Sequence, residues 1–457
     1  ALAGIRFGAV AMISLAAVLI ALQNPASGVE PNGSPLDGFS VFGIGYVVVA
    51  GFLASSLALT HFGMARSRPA EPLALLLFSL SGMAVAVSAR DLLVLMVALE
   101  LAWIPLIILI ASDTRRLSSS ESSLKAFFAH AFASLVFAHG VAFVFGASGH
   151  FGLDYLASAA AGRIVLFEAG VALVLVGLIA RAVIAPFHPW SPDVHEGAPG
   201  FVTTFIATAA QATTFLILLR MLHAMVGTTE DPVARIAERI PTLLGVLGCL
   251  GLVGGHAMAL VQIGLRRLVG WLGVGQAGFF TLALVDGTGE GGRALLLALF
   301  ATGVSTAGVF ATLSSLSHHE RACENVGDLS GMMQRSPVRA ALFSLFLLSI
   351  AGFPGTVGFI ARAEILAALA HDGQHVLLLF GLGATALALI AVGRPLLAML
   401  RSVEGNREMS RALTNEQLVL VLCGLAVVYF GVAPIVSEGN AVGLLSRWID
   451  EAVASLR

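Results

Sequence analysis

The sequence predicts an all-α protein that crosses a membrane many times. Hydrophobic residues make up 58% of the chain and charged residues 11%, against roughly 25% charged residues in soluble domains. Apolar runs of about 20 residues, the length that spans a bilayer core, recur along almost the whole chain. This composition excludes a soluble globule, a disordered chain and a coiled coil, and the net charge of −2 gives no reason to expect nucleic acid as a partner.

The apolar runs predict about thirteen transmembrane helices. Each run is long enough to cross the hydrocarbon core, and short polar or charged segments separate it from the next. In chain order the predicted spans are 5–22, 42–61, 72–89, 92–110, 127–147, 164–198, 201–225, 241–262, 268–285, 294–316, 340–371, 376–399 and 416–437.

Two of these spans, 164–198 and 340–371, are predicted to be broken helices. The first contains Pro186, Pro189 and Pro192, and the second contains Pro354. Proline removes a backbone donor and clashes with the preceding helical turn. Broken backbone at membrane depth is tolerated only where it is buried in protein or lines a wet cavity. We therefore expect the two breaks to mark the working region.

A short internal similarity links the two broken helices and predicts an inverted repeat. Gly177-Leu-Ile-Ala-Arg181 lies in the first, and Gly358-Phe-Ile-Ala-Arg362 lies just past the break of the second. Matched arginines at two helix breaks are typical of transporters built from inverted repeats. The predicted organisation is N-terminal helices in 1–91, a first repeat in 92–225, a second repeat in 241–400, and a C-terminal helix with an amphipathic tail in 401–457.

The basic residues predict the orientation, because cytoplasmic loops carry an excess of Lys and Arg. With the N-terminus in the cytoplasm, the larger share of these residues falls in cytoplasmic loops. In the tail, the apolar side chains of 443–457 fall on one helical face. This pattern predicts a helix that lies on the membrane surface or against a neighbour.

Glu100 is the leading candidate for a functional residue. It lies in the middle of the apolar span 92–110, where an ionisable side chain is costly and is a functional candidate by default. Arg181 and Arg362 are the best available cations. Two interpretations follow: a proton-relay carboxylate, or a structural Glu–Arg pair that holds two helices together.

Other polar side chains in or near the spans are secondary relay candidates, although a histidine near a helix end is more often a hydrogen-bonded core residue. They are His188, Gln276, His130, His139 and His256, of which His188 lies at a helix break. The three cysteines form no metal or redox motif. The chain also shows no nucleotide-binding glycine loop and no haem or iron–sulfur spacing, so no cofactor or metal is expected in it.

The most specific motif is Ala185-Pro-Phe-His-Pro-Trp-Ser-Pro-Asp-Val-His-Glu-Gly-Ala-Pro199. It resembles the proline-rich broken helix of the antiporter-like membrane subunits of respiratory complex I and their Mrp antiporter relatives. The Pro-Asp-Val-His-Glu-Gly-Ala-Pro segment looks most like subunit N of this family. Leu95-Met-Val-Ala-Leu-Glu100 and Leu348-Ser-Ile-Ala-Gly-Phe-Pro354 agree, and the resemblance extends over residues 38–435.

The resemblance implies a polar axis along the membrane midplane. In this family a glutamate faces a lysine on the first broken helix, and two further lysines continue the axis. The glutamate matches Glu100, whereas the lysine positions match Arg181, Gln211 and Arg362. A histidine common in the family falls at Gln276. Arginine stays protonated and glutamine does not titrate, so altered or impaired pumping is one expectation.

The resemblance also implies a cellular setting. The expected role is a membrane-arm subunit of a proton-translocating NADH-quinone oxidoreductase in the bacterial cytoplasmic (inner) membrane, with NADH, FMN, iron–sulfur clusters and quinone in partner subunits. Bacterial members usually have fourteen helices, so a first helix is expected to be lacking or trimmed. The alternatives are a structural, non-pumping subunit, or a membrane subunit of a related antiporter, hydrogenase or inorganic-carbon uptake complex.

Overall fold

The chain forms a bundle of membrane-crossing helices. The structure is a computed structural model that describes residues 36–65, 70–113, 116–153, 163–226, 231–286, 289–317, 323–402, 414–436 and 443–456. The predicted span 5–22 lies outside these residues. Within them every regular element is helical, which confirms the prediction of an all-α membrane protein.

The helices follow one another with short connections. In chain order they are α1 (Gly38–Ala65), α2 (Ala70–Ser88), α3 (Leu92–Ile110), α4 (Leu117–Ser148), α5 (Ile164–Arg181), α6 (Trp190–Gly197), α7 (Gly200–Phe205), α8 (Gln211–Val226), α9 (Asp231–Val261), α10 (Leu265–Ala283), α11 (Glu290–Leu316), α12 (Pro337–Ala351), α13 (Val357–His371), α14 (His375–Leu400), α15 (Thr414–Val436) and α16 (Gly443–Ala454). A π-helical turn (Ile206–Ala210) joins α7 to α8, and short helical turns (Val326–Leu329 and Met332–Arg335) precede α12.

The predicted count of thirteen spans is not confirmed. In the part of the chain that the structure describes, ten helical segments are long and apolar enough to cross a membrane, with α7, the π-helical turn and α8 counting as one. The predicted span 268–285 corresponds to α10, which is not among the ten. The predicted span 340–371 consists of α12 and α13, each of 15 residues. At 1.5 Å per residue, neither reaches across about 30 Å of hydrocarbon alone.

Both predicted helix breaks are present. The first separates α5 from α6 over residues 182–189 and includes Val183, which has a φ of 62°. A β-branched residue rarely adopts a left-handed conformation, so the backbone here is strained by about 1–3 kcal/mol. The second break contains Gly352, with a φ of 78°, and Gly355, with a φ of 86°. Glycine tolerates this region because it lacks a β-carbon.

A line of glycines brings α9 and α10 into backbone contact. A β-carbon on Gly255 would lie 2.9 Å from the Cα of Gly275, and one on Gly278 would lie 2.8 Å from the carbonyl oxygen of Gly248. Small residues allow transmembrane helices to pack this closely, since lipid supplies no hydrophobic force to join them. The contact places side chains of α9 directly over the backbone of α10.

The amphipathic tail forms α16, and its neighbour is α1 of the same chain. The Trp448 ring meets Phe42 edge-on at 6.4 Å, and the backbone N–H of Phe39 donates to Ser455 Oγ at 2.8 Å. Ile449 and Ala452 are buried. The tail therefore closes over the start of α1.

A buried arginine on α8 pairs with a carboxylate at the start of α1. Arg220 Nη2 donates to both oxygens of Asp37, at 2.7 and 3.0 Å, and the Ser40 hydroxyl donates to the same carboxylate at 2.6 Å. Burial raises the pKa of Asp37, but the Arg220 charge and the hydrogen bonds from Ser40 outweigh it, so this pKa lies below its usual value. Asp37 therefore joins α8 to α1.

We expect this pairing to make stability depend on pH in the acid range. A carboxyl group whose pKa is lower in the folded state stabilises it above about pH 4, and the stabilisation is lost as the pH falls through the folded value. Asp37→Asn should lower the free energy of unfolding at pH 7 by about 1.5–3 kcal/mol and flatten its dependence below pH 4. Thermal unfolding of the detergent-solubilised protein from pH 3 to 7 measures both effects.

Arg90→Ala is the matched control, because Arg90 contacts the same carboxylate at 3.0 Å but its side chain is 53% exposed. An exposed pair contributes at most about 1 kcal/mol. An Asp37→Asn variant with wild-type stability across this pH range would contradict the role given to the Arg220 pair.

Candidate functional site

Glu100 and Arg181 form an ion pair between α3 and the end of α5. Arg181 Nη2 donates to Glu100 Oε1 at 2.6 Å and to the Ser134 hydroxyl oxygen at 2.5 Å. The Ser134 hydroxyl in turn donates to Glu100 Oε1 at 2.5 Å. Three helices, α3, α4 and α5, therefore meet at one charged network.

The backbone positions Arg181 for this contact. Gly177, one turn earlier on α5, would place a β-carbon 2.8 Å from Phe137 Cβ on α4, so only glycine allows this approach. Arg181 is the last residue of α5, and the C-terminal end of a helix favours a positive charge. The strained Val183 lies two residues further on, at the break.

The two partners differ greatly in exposure. The Arg181 side chain is 1% exposed, whereas the Glu100 side chain is 38% exposed. The surface around Glu100 is apolar, since Val97, Leu101 and Ile104 on α3 are also exposed. Glu100 therefore opens onto a hydrophobic face of the bundle, while Arg181 is enclosed behind it.

His130 lies next to this network, inside an aromatic pocket. Its ring stacks on Trp103 with centroids 3.4 Å apart and meets Trp190 edge-on at 4.8 Å. The backbone carbonyl of His130 accepts the Ser134 hydroxyl at 2.8 Å. Neither ring nitrogen has a hydrogen-bond partner among the described residues.

Gln211 is buried but separate from the ion pair. It is the first residue of α8, directly after the π-helical turn, and is 8% exposed. Its amide has no hydrogen bond to another side chain or backbone group in the described ranges. π-helical turns are rare and frequently lie at functional sites. The turn changes the helical register immediately before the predicted relay position.

Arg362 is the centre of a second cluster, at the other break. Its Nη2 donates to the Ile350 carbonyl oxygen at 2.6 Å, and its Nη1 donates to Thr385 Oγ1 at 3.2 Å. The guanidinium lies 4.4 Å above the Phe279 ring. Ile350 is in the last turn of α12, where unpaired carbonyls carry partial negative charge. The helix end and the aromatic ring thus stabilise a buried cation.

Gln276 joins the second cluster through the same carbonyl. Its Nε2 donates to the Ile350 oxygen at 2.7 Å, so one backbone oxygen accepts from both Gln276 and Arg362. His256, on α9, lies edge-on to Phe279 with centroids 6.1 Å apart. Three of the predicted residues therefore meet around the second break.

Two predicted histidines lie outside both clusters. His139 is exposed, and its Nδ1 lies 2.8 Å from the Leu135 carbonyl oxygen of its own helix. His188 lies at the first break and meets Trp271 edge-on at 5.6 Å, and its Nδ1 is buried without a partner among the described residues. In the same residues no group of three His, Cys, Asp or Glu side chains is arranged to hold a metal.

The sequence did not reveal three of the contacting groups. Ser134 bridges the first pair, and the Ile350 carbonyl and Thr385 hold Arg362. A serine one turn after His130 on an apolar span was an available signal for Ser134. A backbone carbonyl gives no signal, since every residue has one.

The family profile described as "NADH:quinone oxidoreductase/Mrp antiporter, TM" matches residues 89–388. The chain belongs to this family. The matched range includes both helix breaks and all four predicted relay residues. The resemblance drawn from the sequence is thereby confirmed.

Two relatives of this chain are named as NADH-quinone oxidoreductase subunits N. NADH-quinone oxidoreductase subunit N of Bdellovibrio bacteriovorus is 30% identical over 412 residues, which cover 88% of this chain and 82% of that protein. Subunit N 1 of Chloroherpeton thalassium is 28% identical over 426 residues, covering 91% of this chain and 88% of that protein. The chain thus aligns with these proteins over most of their length.

Solved structures show the same fold. A chain of respiratory complex I from Thermus thermophilus with bound aureothin has a TM-score of 0.79 and 26% identity, over 96% of this chain and 93% of that one. A chain of the Mrp complex from a Dietzia species has a TM-score of 0.85 at 18% identity, over 99% and 92%. The second likeness concerns the fold alone.

Proposed function

We propose that this chain is a subunit N-type membrane-arm subunit of a proton-translocating NADH-quinone oxidoreductase. In this role it carries no redox cofactor. Redox energy from NADH and quinone, handled by partner subunits with FMN and iron–sulfur clusters, drives charge movement along Glu100, Arg181, Gln211 and Arg362. The complex would lie in the bacterial cytoplasmic membrane, with the N-terminus of this chain on the cytoplasmic side.

The observation that carries the proposal is the network of Glu100, Ser134 and Arg181. An ion pair inside a membrane protein is costly to bury and is rarely kept for stability alone. Here it lies beside a broken helix, in a family whose named relatives are complex I subunits. Breaking and remaking this pair would change the local charge, which is what a proton-translocating element requires.

The test is Glu100→Gln in the reconstituted complex. Glutamine has nearly the same shape but cannot ionise, so we expect the proton-to-electron ratio to fall while quinone reduction by NADH continues. Vesicles with a pH-sensitive dye measure the protons, and NADH absorbance measures the electrons. Glu168→Gln, which removes a carboxylate near the start of α5, should leave the ratio at its wild-type value. An unchanged proton-to-electron ratio in Glu100→Gln would contradict the relay role proposed for Glu100.

Partner identity tests the assembly independently. Extraction in a mild detergent should co-purify NADH dehydrogenase chains, quinone-site chains and other antiporter-like chains. If a hydrogenase, a carbon-uptake protein or antiporter subunits co-purified instead, the chain would belong to a different complex. The description of its fold would not change.

The alternative is a structural subunit that does not pump. The arginines and glutamine at the positions of the family's lysines favour this alternative. Arginine does not release its proton under physiological conditions. If the chain does not pump, a double variant with Arg181→Lys and Gln211→Lys should raise the proton-to-electron ratio. If the chain already moves its full share of protons, the same double variant should leave the proton-to-electron ratio unchanged.

A further inference from the structure

Each relay arginine has a buried histidine beside it. In the first half, Ser134 contacts both Arg181 and the backbone of His130. In the second half, Phe279 contacts both Arg362 and His256. The two halves thus repeat one pairing with different helices.

The hydrogen bonds of His256 determine which nitrogen is free. Its Nδ1 lies 2.8 Å from the Leu252 carbonyl oxygen. A carbonyl oxygen only accepts, so Nδ1 carries the proton and Nε2 is a bare acceptor. Nε2 is buried without a partner among the described residues, and the side chain is 0% exposed. Nε2 is therefore the ring atom at which this histidine could accept a proton.

Glycine packing holds this imidazole in place. A β-carbon on Gly275 would lie 2.6 Å from both ring nitrogens of His256. The ring therefore fills the space that a side chain at position 275 would occupy, next to Gln276. His130 is held differently, between Trp103 and Trp190, and aromatic faces stabilise a cation placed on them.

Histidine can perform the step that arginine cannot. Imidazole takes up and releases a proton at ordinary pH, whereas guanidinium keeps its own. A neighbouring arginine repels an imidazolium, so a proton leaves the ring more readily when the arginine is close. In the first half, the Glu100 carboxylate pairs with Arg181 and offsets this repulsion. The pairing thus links arginine movement to proton transfer.

We propose that His130 and His256 are the proton-carrying groups of the two halves, in place of the family's lysines. The inference rests on the proposed function. A proton delivered by water forms a bond to a ring nitrogen, at Nε2 in His256, and gives an imidazolium. It later leaves from the ring to another water, and nothing is oxidised or reduced.

The experiment compares His130→Gln and His256→Gln in the reconstituted complex with the wild type. Each variant should lower the proton-to-electron ratio by about as much as Glu100→Gln does, with quinone reduction retained. Gly275→Ala keeps His256 but displaces its ring, and should lower the ratio in the same way. This third variant keeps the test valid if His256→Gln fails to assemble.

His195→Gln is the matched control. His195 is also buried, and its Nδ1 lies 2.8 Å from the Ser191 carbonyl oxygen of its own helix. Its ring lies near Phe310, which contacts neither Arg181 nor Arg362 among the described residues. Its variant should keep the wild-type ratio. If His195→Gln lowered the proton-to-electron ratio equally, the loss of any buried imidazole would be sufficient to impair pumping. That result would overturn the proposal.

A rescue variant distinguishes a proton-transfer role of His256 from a role in packing. Adding Arg362→Lys to His256→Gln supplies a titratable amine near the same position, and should recover part of the lost ratio. A ratio that stays low would indicate a packing role for His256 and would also overturn the proposal.

If both histidine variants pump fully while Glu100→Gln does not, the histidine inference fails and the proposed function stands. If the wild-type complex moves no protons, the proposed function itself fails.

Discussion

Glu100→Leu is expected to lower the free energy of unfolding by about 3–5 kcal/mol, the usual cost of leaving a buried charge without its partner. Arg181 is 1% exposed, and its Nε and Nη1 already lack partners among the described residues. With leucine at position 100, the guanidinium would keep only the Ser134 hydroxyl. Thermal or detergent-induced unfolding of the purified protein measures the loss.

A double-mutant cycle isolates the pair. Arg181→Met alone should cost less than Glu100→Leu, because the Glu100 side chain that loses its partner is 38% exposed, whereas the Arg181 side chain is 1% exposed. The double variant should recover much of the stability, since apolar replacement of both charges removes the desolvation cost. Equal stability of Glu100→Leu and the wild type would show that the ion pair has no energetic role.

Gly358→Ala should disturb the second break. A β-carbon on Gly358 would collide with the Ser349 carbonyl oxygen and lie 3.0 Å from the Ser349 hydroxyl oxygen. The ends of α12 and α13 must then separate, with an expected loss of about 1–3 kcal/mol, as for other overpacked sites. Arg362, one turn further on, should lose its bond to Ile350, so the proton-to-electron ratio should fall as well.

Gly383→Ala on α14 is the matched control, because no atom lies within 4 Å of a β-carbon there. In an open helical position alanine stabilises by roughly 0.5–1 kcal/mol relative to glycine. Similar stability and pumping in the two alanine variants would show that the contact between α12 and α13 is not required.

The features that could be predicted from the sequence either recur along it or depart from the usual composition of a membrane helix. Long apolar runs predicted the membrane helices, and prolines predicted the breaks near Pro186 and Pro354. Glu100 was identifiable because a charge inside an apolar span has no ordinary explanation. The Gly177–Arg181 and Gly358–Arg362 similarity identified both arginines, and each lies at a break.

Contacts between distant segments were not predictable from local patterns. That Arg181 rather than Arg362 pairs with Glu100 was implied by the family resemblance, not by the sequence spacing, which does not encode how the helices cross. The π-helical turn before Gln211 also had no signal, because Ile206–Ala210 has the composition of an ordinary helix. His139 and His130 lie on the same helix, but only His130 is buried, since their positions face different sides of α4. The division into two repeats at 92–225 and 241–400 stays a prediction.

A copy of this chain inserted alone would turn part of the Glu100 carboxylate toward hydrocarbon, between the exposed side chains of Val97, Leu101 and Ile104. Lipid tails offer no hydrogen bond, and a charged side chain at bilayer depth costs about 2.5–3.5 kcal/mol by insertion scales. If a partner subunit covers this face of α3, we expect that subunit to be available when this chain is inserted. Copies in excess of that subunit should be cleared by membrane proteases, so the cellular abundance of this chain should follow that of its neighbour.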